Sequence, residues 1–236
     1  MAGSISFARI VLRWARPGAR ITPIEVDLPG GETFVSDTVS ATAVRMQAGP
    51  RYGCLTALLD MAKVAVPTLA VRLWAPDEPY YLIVAAAAVI GHDWPLLGRY
   101  KGGRGESPLY GGVLVIDPVA AVGTTLLGAL LGIVVGNILV LRWAGMVLLI
   151  PWMGIAASGD PWTLAYIVVG VGAYFVAMIP ELRQYASMLG RSTDPTNEEI
   201  AVEFAMGAGL GRALDRYGLI PRLRRRTRSG GSDPGT

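Results

Sequence analysis

The sequence predicts an all-α integral membrane protein. Of its 236 residues, 52% are hydrophobic and only 17% are charged, and the mean hydropathy is +0.44. A soluble domain usually carries about 25% charged residues. The basic residues lie between and outside the apolar runs, as expected for a bundle of membrane helices. The net charge of only +3 does not indicate a nucleic-acid partner.

The apolar runs predict about six membrane segments, one of them short. A membrane helix needs about 20 residues, so the stretch 109–141 is too long for one span, and Asp117-Pro118 divides it. This division places every basic cluster on one side, which the positive-inside rule assigns to the cytoplasm together with both termini. The predicted segments are 53–74, 79–97, the short piece from 109 to the Asp117-Pro118 break, 119–141, 143–157 and 161–180.

Residues 1–52 are predicted to form a cytoplasmic N-terminal region. In 4–16, three arginines recur at helical spacing, so they share one face of an amphipathic helix that we expect to lie in the membrane interface. The alternative is an ordinary surface helix packed on its own protein. Residues 21–36 predict a strand-turn-strand or an extended loop, and 37–52 predict a partly helical connector.

The other two regions are a membrane domain, 53–180, and a cytoplasmic C-terminal region, 181–236. The stretch "TNEE" at 196–199 is typical of a capping box, and it predicts a helix that continues to about Arg216. The tail that follows is basic and then small and polar, which is typical of disorder.

The loop between the second and third segments carries the most chemical information. Glycines in "GHDWPLLGRYKGGRGESPLYGG" (91–112) allow main-chain N–H groups to surround an anion, and its cations could bind phosphate. The alternative is a solvated basic loop that merely obeys the positive-inside rule. His92 could act as a base, contact phosphate or simply make helix-end hydrogen bonds. The candidate phosphate-binding residues are Lys101, Gly102, Gly103, Arg104 and Gly105.

Two ionisable residues, Asp60 and Lys63, fall inside the first apolar segment. Such residues are costly at membrane depth and are usually paired or functional. Their spacing allows them to pair on one helix face, either as part of a polar pocket or as a purely structural pair. The single cysteine, Cys54, excludes an intrachain disulfide. Because the chain has one histidine, we expect no zinc site and no other metal or cofactor.

Together these residues resemble the PlsY-type acyl-phosphate:glycerol-3-phosphate acyltransferases. The 91–112 stretch is similar to the second motif of that family, and Asp60 with Lys63 fits its D-x-x-K pattern. The first motif is only partly matched by "VSDTVSATAVRM" (35–46), where Ser36 is kept and Arg45 is displaced by one place. The stretch "PELRQYASMLGR", where the third motif should fall, contains no histidine.

The resemblance implies a PlsY-like bundle that transfers an acyl group from acyl phosphate to glycerol 3-phosphate, giving lysophosphatidic acid for phospholipid synthesis. It implies that Ser36 and Arg45 help bind substrate, that His92 orients or polarises it, and that Asp60 and Lys63 support the pocket. We further expect a multi-pass location in the cell membrane, contact with membrane lipid, and association with other phospholipid-synthesis enzymes.

The changed motifs leave a second hypothesis open. The chain could be a catalytically inactive paralogue that binds lipid or phosphate, or that serves as a partner subunit in the membrane. A transporter is a third option, although the sequence has no clear inverted repeat.

Overall fold

Helices make up most of the computed structural model, which describes residues 2–27, 33–95, 102–156, 160–189 and 208–219. A short 3₁₀ turn, Ala2–Ser4, precedes the first helix. The helices are α1 (Phe7–Ala15), α2 (Ala41–Ala48), α3 (Pro50–Trp74), α4 (Tyr80–Asp93), α5 (Glu106–Ile116), α6 (Pro118–Val135), α7 (Ile138–Ala156), α8 (Pro161–Ala177), α9 (Ile179–Leu189) and α10 (Ala208–Tyr217). The two strands are β1 (Ile24–Asp27) and β2 (Thr33–Ser36).

Three helices in the described part of the chain, α3, α6 and α7, are long and apolar enough to cross a membrane. Two shorter apolar helices, α4 and α8, accompany them. The predicted short segment is α5, whose 11 residues measure about 16 Å. The fold of the described residues is mostly helical, as expected, and the number of membrane segments stays a prediction.

The predicted break at Asp117-Pro118 is confirmed, because α5 ends at Ile116 and α6 begins at Pro118. The carboxylate of Asp117 explains the break. Its Oδ1 accepts a hydrogen bond from the Ala120 N–H (2.9 Å), which caps α6. Its Oδ2 accepts a second bond from Trp152 Nε1 (3.1 Å).

The boundary between the fourth and fifth segments differs from the prediction. The sequence placed the end of the fourth segment at 141, before Arg142, but α6 and α7 meet at Gly136-Asn137. Gly136 adopts a left-handed conformation (φ 67°), which ends α6. Asn137 Oδ1 then accepts hydrogen bonds from the N–H groups of Leu139 and Val140 and starts α7. Arg142 therefore lies inside a helix and not in a loop.

The chain divides into two compact units. One unit comprises Met1–Ala121 and Leu149–Ser187, and it contains all of the candidate site residues that the structure describes. The other comprises Val122–Leu148 and Met188–Thr236. In this second unit the helix predicted from 196 to about 216 is seen over Ala208–Tyr217, and the rest of it lies outside the described residues.

In the first unit, α3 packs between α4 and α5, and α8 packs on α4 and α5. Small residues allow these close approaches: a Cβ on Gly111 would lie 2.3 Å from the Met61 carbonyl oxygen of α3. Tyr166 of α8 donates a hydrogen bond to the Leu109 carbonyl of α5 (3.0 Å). At the far end of α3, the Arg72 guanidinium donates to the Val115 carbonyl in the last turn of α5, where a cation is favourable.

The N-terminal region packs around the first turns of α3. Of the two predicted alternatives for 21–36, the structure shows the strand pair: β1 and β2 pair antiparallel with Ile24 opposite Ser36, and residues 28–32 lie outside the described residues. The predicted connector contains α2, whose start is capped by the Ser40 hydroxyl. The buried face of α1 meets α2 and α3 in a small apolar core formed by Ala8, Val11, Leu12, Val39 and Val44, with Tyr52, Leu55 and Leu59 at its edge. The interfacial position of α1 stays a prediction.

Close packing of α3 and α5 gives a test of the fold. We expect Gly111→Ala to lower the apparent melting temperature of the detergent-purified protein, because its methyl group would overlap the main chain at Met61. Overpacking of this kind costs about 1–3 kcal/mol. Gly172→Ala in α8 is the matched control, because nothing lies within 4 Å of its Cβ position. We expect the control to leave the melting temperature unchanged or slightly higher, and equal effects of the two variants would contradict this packing.

Candidate functional site

The candidate site centres on the ammonium group of Lys63, which is buried inside the first unit. Its Nζ lies 2.8 Å from Asp60 Oδ1, one turn earlier on α3. It also lies 2.6 Å from His92 Nδ1 at the end of α4 and donates a hydrogen bond to the Ile5 carbonyl (3.0 Å). The Asp60 carboxylate forms an ion pair with the ammonium, and the Ile5 carbonyl and His92 Nδ1 lie within hydrogen-bond distance of Nζ. Lys63 therefore joins α3, α4 and the segment before α1.

This arrangement defines the hydrogen-bonding role of His92. A Lys63 ammonium can donate to Nδ1 only if that nitrogen presents its lone pair, so a neutral imidazole carries its proton on Nε2. The Nε2 atom faces Gly103, where a Cβ would lie only 1.9 Å away. His92 is thus held as a hydrogen-bond donor on the side of the glycine loop.

The glycine loop, Gly102 to Gly105, fits tightly against the end of α4. The Gly103 N–H donates to the His92 carbonyl (3.1 Å), and the Gly102 carbonyl accepts from the Val39 N–H (3.0 Å). A Cβ on Gly102 would overlap the main chain of His92 and Asp93. Gly105 has a φ of 74°, which favours glycine, and it begins α5. The glycines are needed for this close fit, and the Gly103 N–H fixes the loop instead of facing an anion.

A second buried cluster holds the same loop from the other side. Arg104 Nη2 donates to Glu181 Oε1 (2.7 Å) and to Ser36 Oγ (2.9 Å), and Nε donates to Glu181 Oε1 (3.2 Å). The Ser36 hydroxyl also donates to Glu181 Oε1 (3.1 Å). All three side chains are buried. Arg104 therefore connects the loop to β2 and α9, and Glu181 neutralises the charge that the sequence prediction assigned to phosphate.

A cavity of about 290 Å³ lies beside these groups. Asp60, His92, Gly102 and Gly103 line one side of it, and the segment from Gly3 to Ile10 lines the other. That second side includes Ser4 and Ser6, which carry hydroxyl groups, and Arg9, which carries a guanidinium. The cavity is large enough for a small phosphate ester, and it combines hydrogen-bond donors with a positive side chain.

The structure thus brings most of the predicted site residues into two adjacent clusters. Asp60, Lys63 and His92 form the first with Gly102 and Gly103, and Ser36 and Arg104 form the second. Gly105 lies against the buried carboxylate of Asp93. Arg45 has an exposed side chain in the last turn of α2, outside both clusters. Lys101 lies outside the described residues.

Two parts of the site were missed at the level of sequence. The sequence predicts an interfacial or surface helix over 4–16 and gives this segment no part in the site, yet the Ile5 carbonyl accepts a hydrogen bond from Lys63. A main-chain acceptor leaves no mark in a sequence. The sequence predicts that the soluble C-terminal region starts at Glu181, but in the structure Glu181 is the buried partner of Arg104. The sequence does carry a signal for this pair: an acidic residue directly follows an apolar segment, and a buried arginine needs a carboxylate partner.

The Arg104–Glu181 pair gives a stability prediction. Arg104→Met leaves the Glu181 carboxylate buried without its partner, a change that typically costs about 3–5 kcal/mol. We expect the double variant Arg104→Met/Glu181→Leu to recover part of that loss, because it removes both charges. Apparent melting temperatures in detergent provide the comparison. A double variant at least as unstable as Arg104→Met would contradict the pairing.

Comparisons with known proteins place this geometry in a family. Residues 1–187 match the family model described as glycerol-3-phosphate acyltransferase. A glycerol-3-phosphate acyltransferase of Myxococcus xanthus is 38% identical over 128 residues, which are 53% of this chain and 60% of the relative. One of Syntrophotalea carbinolica is 40% identical over 97 residues, or 41% of this chain and 50% of the relative. The chain therefore spans about half to three-fifths of the length of these relatives.

Solved structures support the same fold. The crystal structure of PlsY, an integral membrane glycerol 3-phosphate acyltransferase, in its glycerol 3-phosphate form has a TM-score of 0.62 at 21% identity, covering 84% of this chain and 92% of that one. The lysophosphatidic acid form has a TM-score of 0.63 at 22% identity, covering 81% and 89%. With a family match over 187 of its 236 residues, the chain belongs to the glycerol-3-phosphate acyltransferase family, and its fold is similar to that of PlsY.

Proposed function

We propose that this protein transfers an acyl group from acyl phosphate to glycerol 3-phosphate and releases lysophosphatidic acid. The observation that carries the proposal is the cavity beside His92, whose Nε2 atom faces the glycine loop and whose Nδ1 is held by Lys63. Family membership and the names of the relatives support the same reaction.

The proposed reaction forms one bond and breaks one. A hydroxyl oxygen of glycerol 3-phosphate attacks the acyl carbonyl carbon, and the bond from that carbon to the phosphate oxygen breaks. The products are the ester and inorganic phosphate, and the released phosphate takes up the hydroxyl proton. Acyl phosphate is already activated, so the protein mainly has to orient the two substrates and stabilise developing negative charge.

The chain's own groups can supply these two contributions. His92, in the tautomer that Lys63 selects, can donate its Nε2 proton to a carbonyl or phosphate oxygen in the cavity. The Lys63 ammonium is paired with Asp60 and is within hydrogen-bond distance of His92 and the Ile5 carbonyl. We therefore assign Lys63 and Asp60 as positioning residues for His92. Gly102 and Gly103 let the loop approach His92 closely, and we assign direct substrate contact to His92.

The second cluster supports the loop in this proposal. Arg104 and Ser36 are bound to Glu181, so we assign them to holding the glycine loop in place. Lys101 and Arg45 remain proposed phosphate contacts on the basis of the family resemblance alone. The location we propose is the cell membrane with the site on the cytoplasmic side, because the positive-inside rule assigns the basic loops to that side. Association with other phospholipid-synthesis enzymes also remains a proposal.

The activity itself is tested on the purified full chain. We expect lysophosphatidic acid to form from acyl phosphate and radiolabelled glycerol 3-phosphate, at a rate above that of a His92→Ala variant. The catalytically inactive alternative predicts no product at any enzyme concentration. That result, obtained with a protein that is monodisperse in detergent, would overturn the proposed function.

The loop geometry predicts a second, quantitative outcome. Gly103→Ala places a methyl group against His92 Nε2, so the imidazole has to shift by an ångström or more. Misplacement of a reacting group by about 1 Å costs roughly a hundredfold in rate, and we expect a loss of that size in kcat. Gly172→Ala, with open space at its Cβ position, is the control and is expected to keep wild-type activity. Full activity of Gly103→Ala would contradict the assignment of His92.

A further inference from the structure

The N-terminal region carries an arginine groove that adjoins the substrate cavity and contains two arginines, Arg13 and Arg20, to which the proposed reaction gives no role. Residues 1–24 contain four arginines and no acidic residue. Three of these, Arg9, Arg13 and Arg20, line a groove of about 580 Å³, together with apolar side chains that include Leu12 and Ile21. We call this the arginine groove. Clustered guanidinium groups next to apolar side chains form a site for a phosphate group attached to an apolar molecule.

The position of the groove points to the membrane surface. The helix α1 packs beside the first turns of α3, which is a membrane-spanning helix. Trp14 meets Tyr52 edge to face, with ring centroids 5.9 Å apart, and Arg51 lies 4.9 Å from the centre of the Tyr52 ring. Tryptophan, tyrosine and arginine at the end of a membrane span are typical of the lipid headgroup level. We therefore expect the groove to lie at the level of the lipid phosphates.

The outer surface of α1 fits the same environment. Its buried face is formed by Ala8, Val11 and Leu12, yet Ile10 and Trp14 on another face are 52% and 71% exposed. The basic face carries Arg9 and Arg13 and lies between the buried face and this exposed apolar face, given about 100° of rotation per residue. A helix with exposed apolar residues beside a basic face lies in the interface of an anionic membrane. A soluble phosphate ester would leave the exposed apolar face without a partner.

We propose that the arginine groove binds the headgroup phosphate of an anionic membrane lipid. The guanidinium groups of Arg13 and Arg20 hold the phosphate oxygens, and Ile10 and Trp14 contact the acyl-chain region beside it. The lipid is bound beside the acyl-transfer cavity: Arg9 and Val39 line both spaces, whereas Arg13 and Arg20 line the groove and are not among the residues that line the cavity. Lipid binding would also fix α1 and the segment before it, whose Ile5 carbonyl contacts Lys63. The groove would therefore hold the candidate site at the membrane surface.

Calorimetry on the full chain in a neutral maltoside detergent tests this proposal. The probe is dihexanoyl phosphatidylglycerol, a short-chain anionic lipid. The test variant is Arg13→Gln/Arg20→Gln, which spares Arg9 because that residue is half-buried and makes a contact of its own. The matched control is Arg16→Gln, since Arg16 is exposed at the end of α1 and is not among the groove residues. Melting temperatures of all variants verify that they fold.

We expect saturable binding to the wild type, at least about tenfold weaker binding to the double variant, and less than a twofold change for Arg16→Gln. Dihexanoyl phosphatidylcholine should not compete. Equal binding by the double variant, or an equal loss of binding in Arg16→Gln, would overturn the assignment of the arginine groove as the binding site. Displacement by an equal concentration of inorganic phosphate would show a soluble phosphate site and overturn the lipid assignment. Because binding is measured without turnover, the result is independent of the proposed acyl transfer.

Discussion

The Lys63 ammonium is the group on which the candidate site depends. It lies within an apolar helix, where an unpaired charge would be very costly, and it contacts groups from three parts of the chain: an ion pair with Asp60, and His92 Nδ1 and the Ile5 carbonyl at hydrogen-bond distance. Each acceptor fixes a different element. Asp60 neutralises the charge, His92 receives a defined hydrogen bond, and Ile5 brings the N-terminal segment over the cavity. Removal of this ammonium would release all three contacts at once.

The glycine loop then follows from the position of His92. The imidazole leaves no space for a Cβ at Gly103, and the main chain of His92 and Asp93 leaves none at Gly102. Arg104 follows directly in the chain, and its ion pair with Glu181 connects the loop to α9. The loop is therefore held between two buried ionic clusters. This arrangement explains how a short glycine-rich segment can present a defined surface to a substrate.

Much of this architecture could be predicted from the sequence. The apolar runs, the Asp117-Pro118 break and the pairing of Asp60 with Lys63 all rest on local chemistry, and the structure confirms them. Contacts that depend on tertiary structure could not be predicted. The Ile5 carbonyl is a main-chain atom and Glu181 lies far from Arg104 in sequence, so neither has a local signal. The boundary at Gly136-Asn137 was missed because a charged residue, Arg142, was weighted above a glycine that ends a helix.

The central claim is that Lys63 holds His92 as a neutral imidazole with its proton on Nε2. The chain has one histidine, so selective ¹⁵N-histidine labelling of the detergent-purified protein gives signals from His92 alone. We predict one protonated nitrogen at Nε2 and one unprotonated, hydrogen-bonded nitrogen at Nδ1 near neutral pH. We also predict that Lys63→Met abolishes this preference. An imidazolium with both nitrogens protonated, or a proton on Nδ1 in the wild type, would contradict the account.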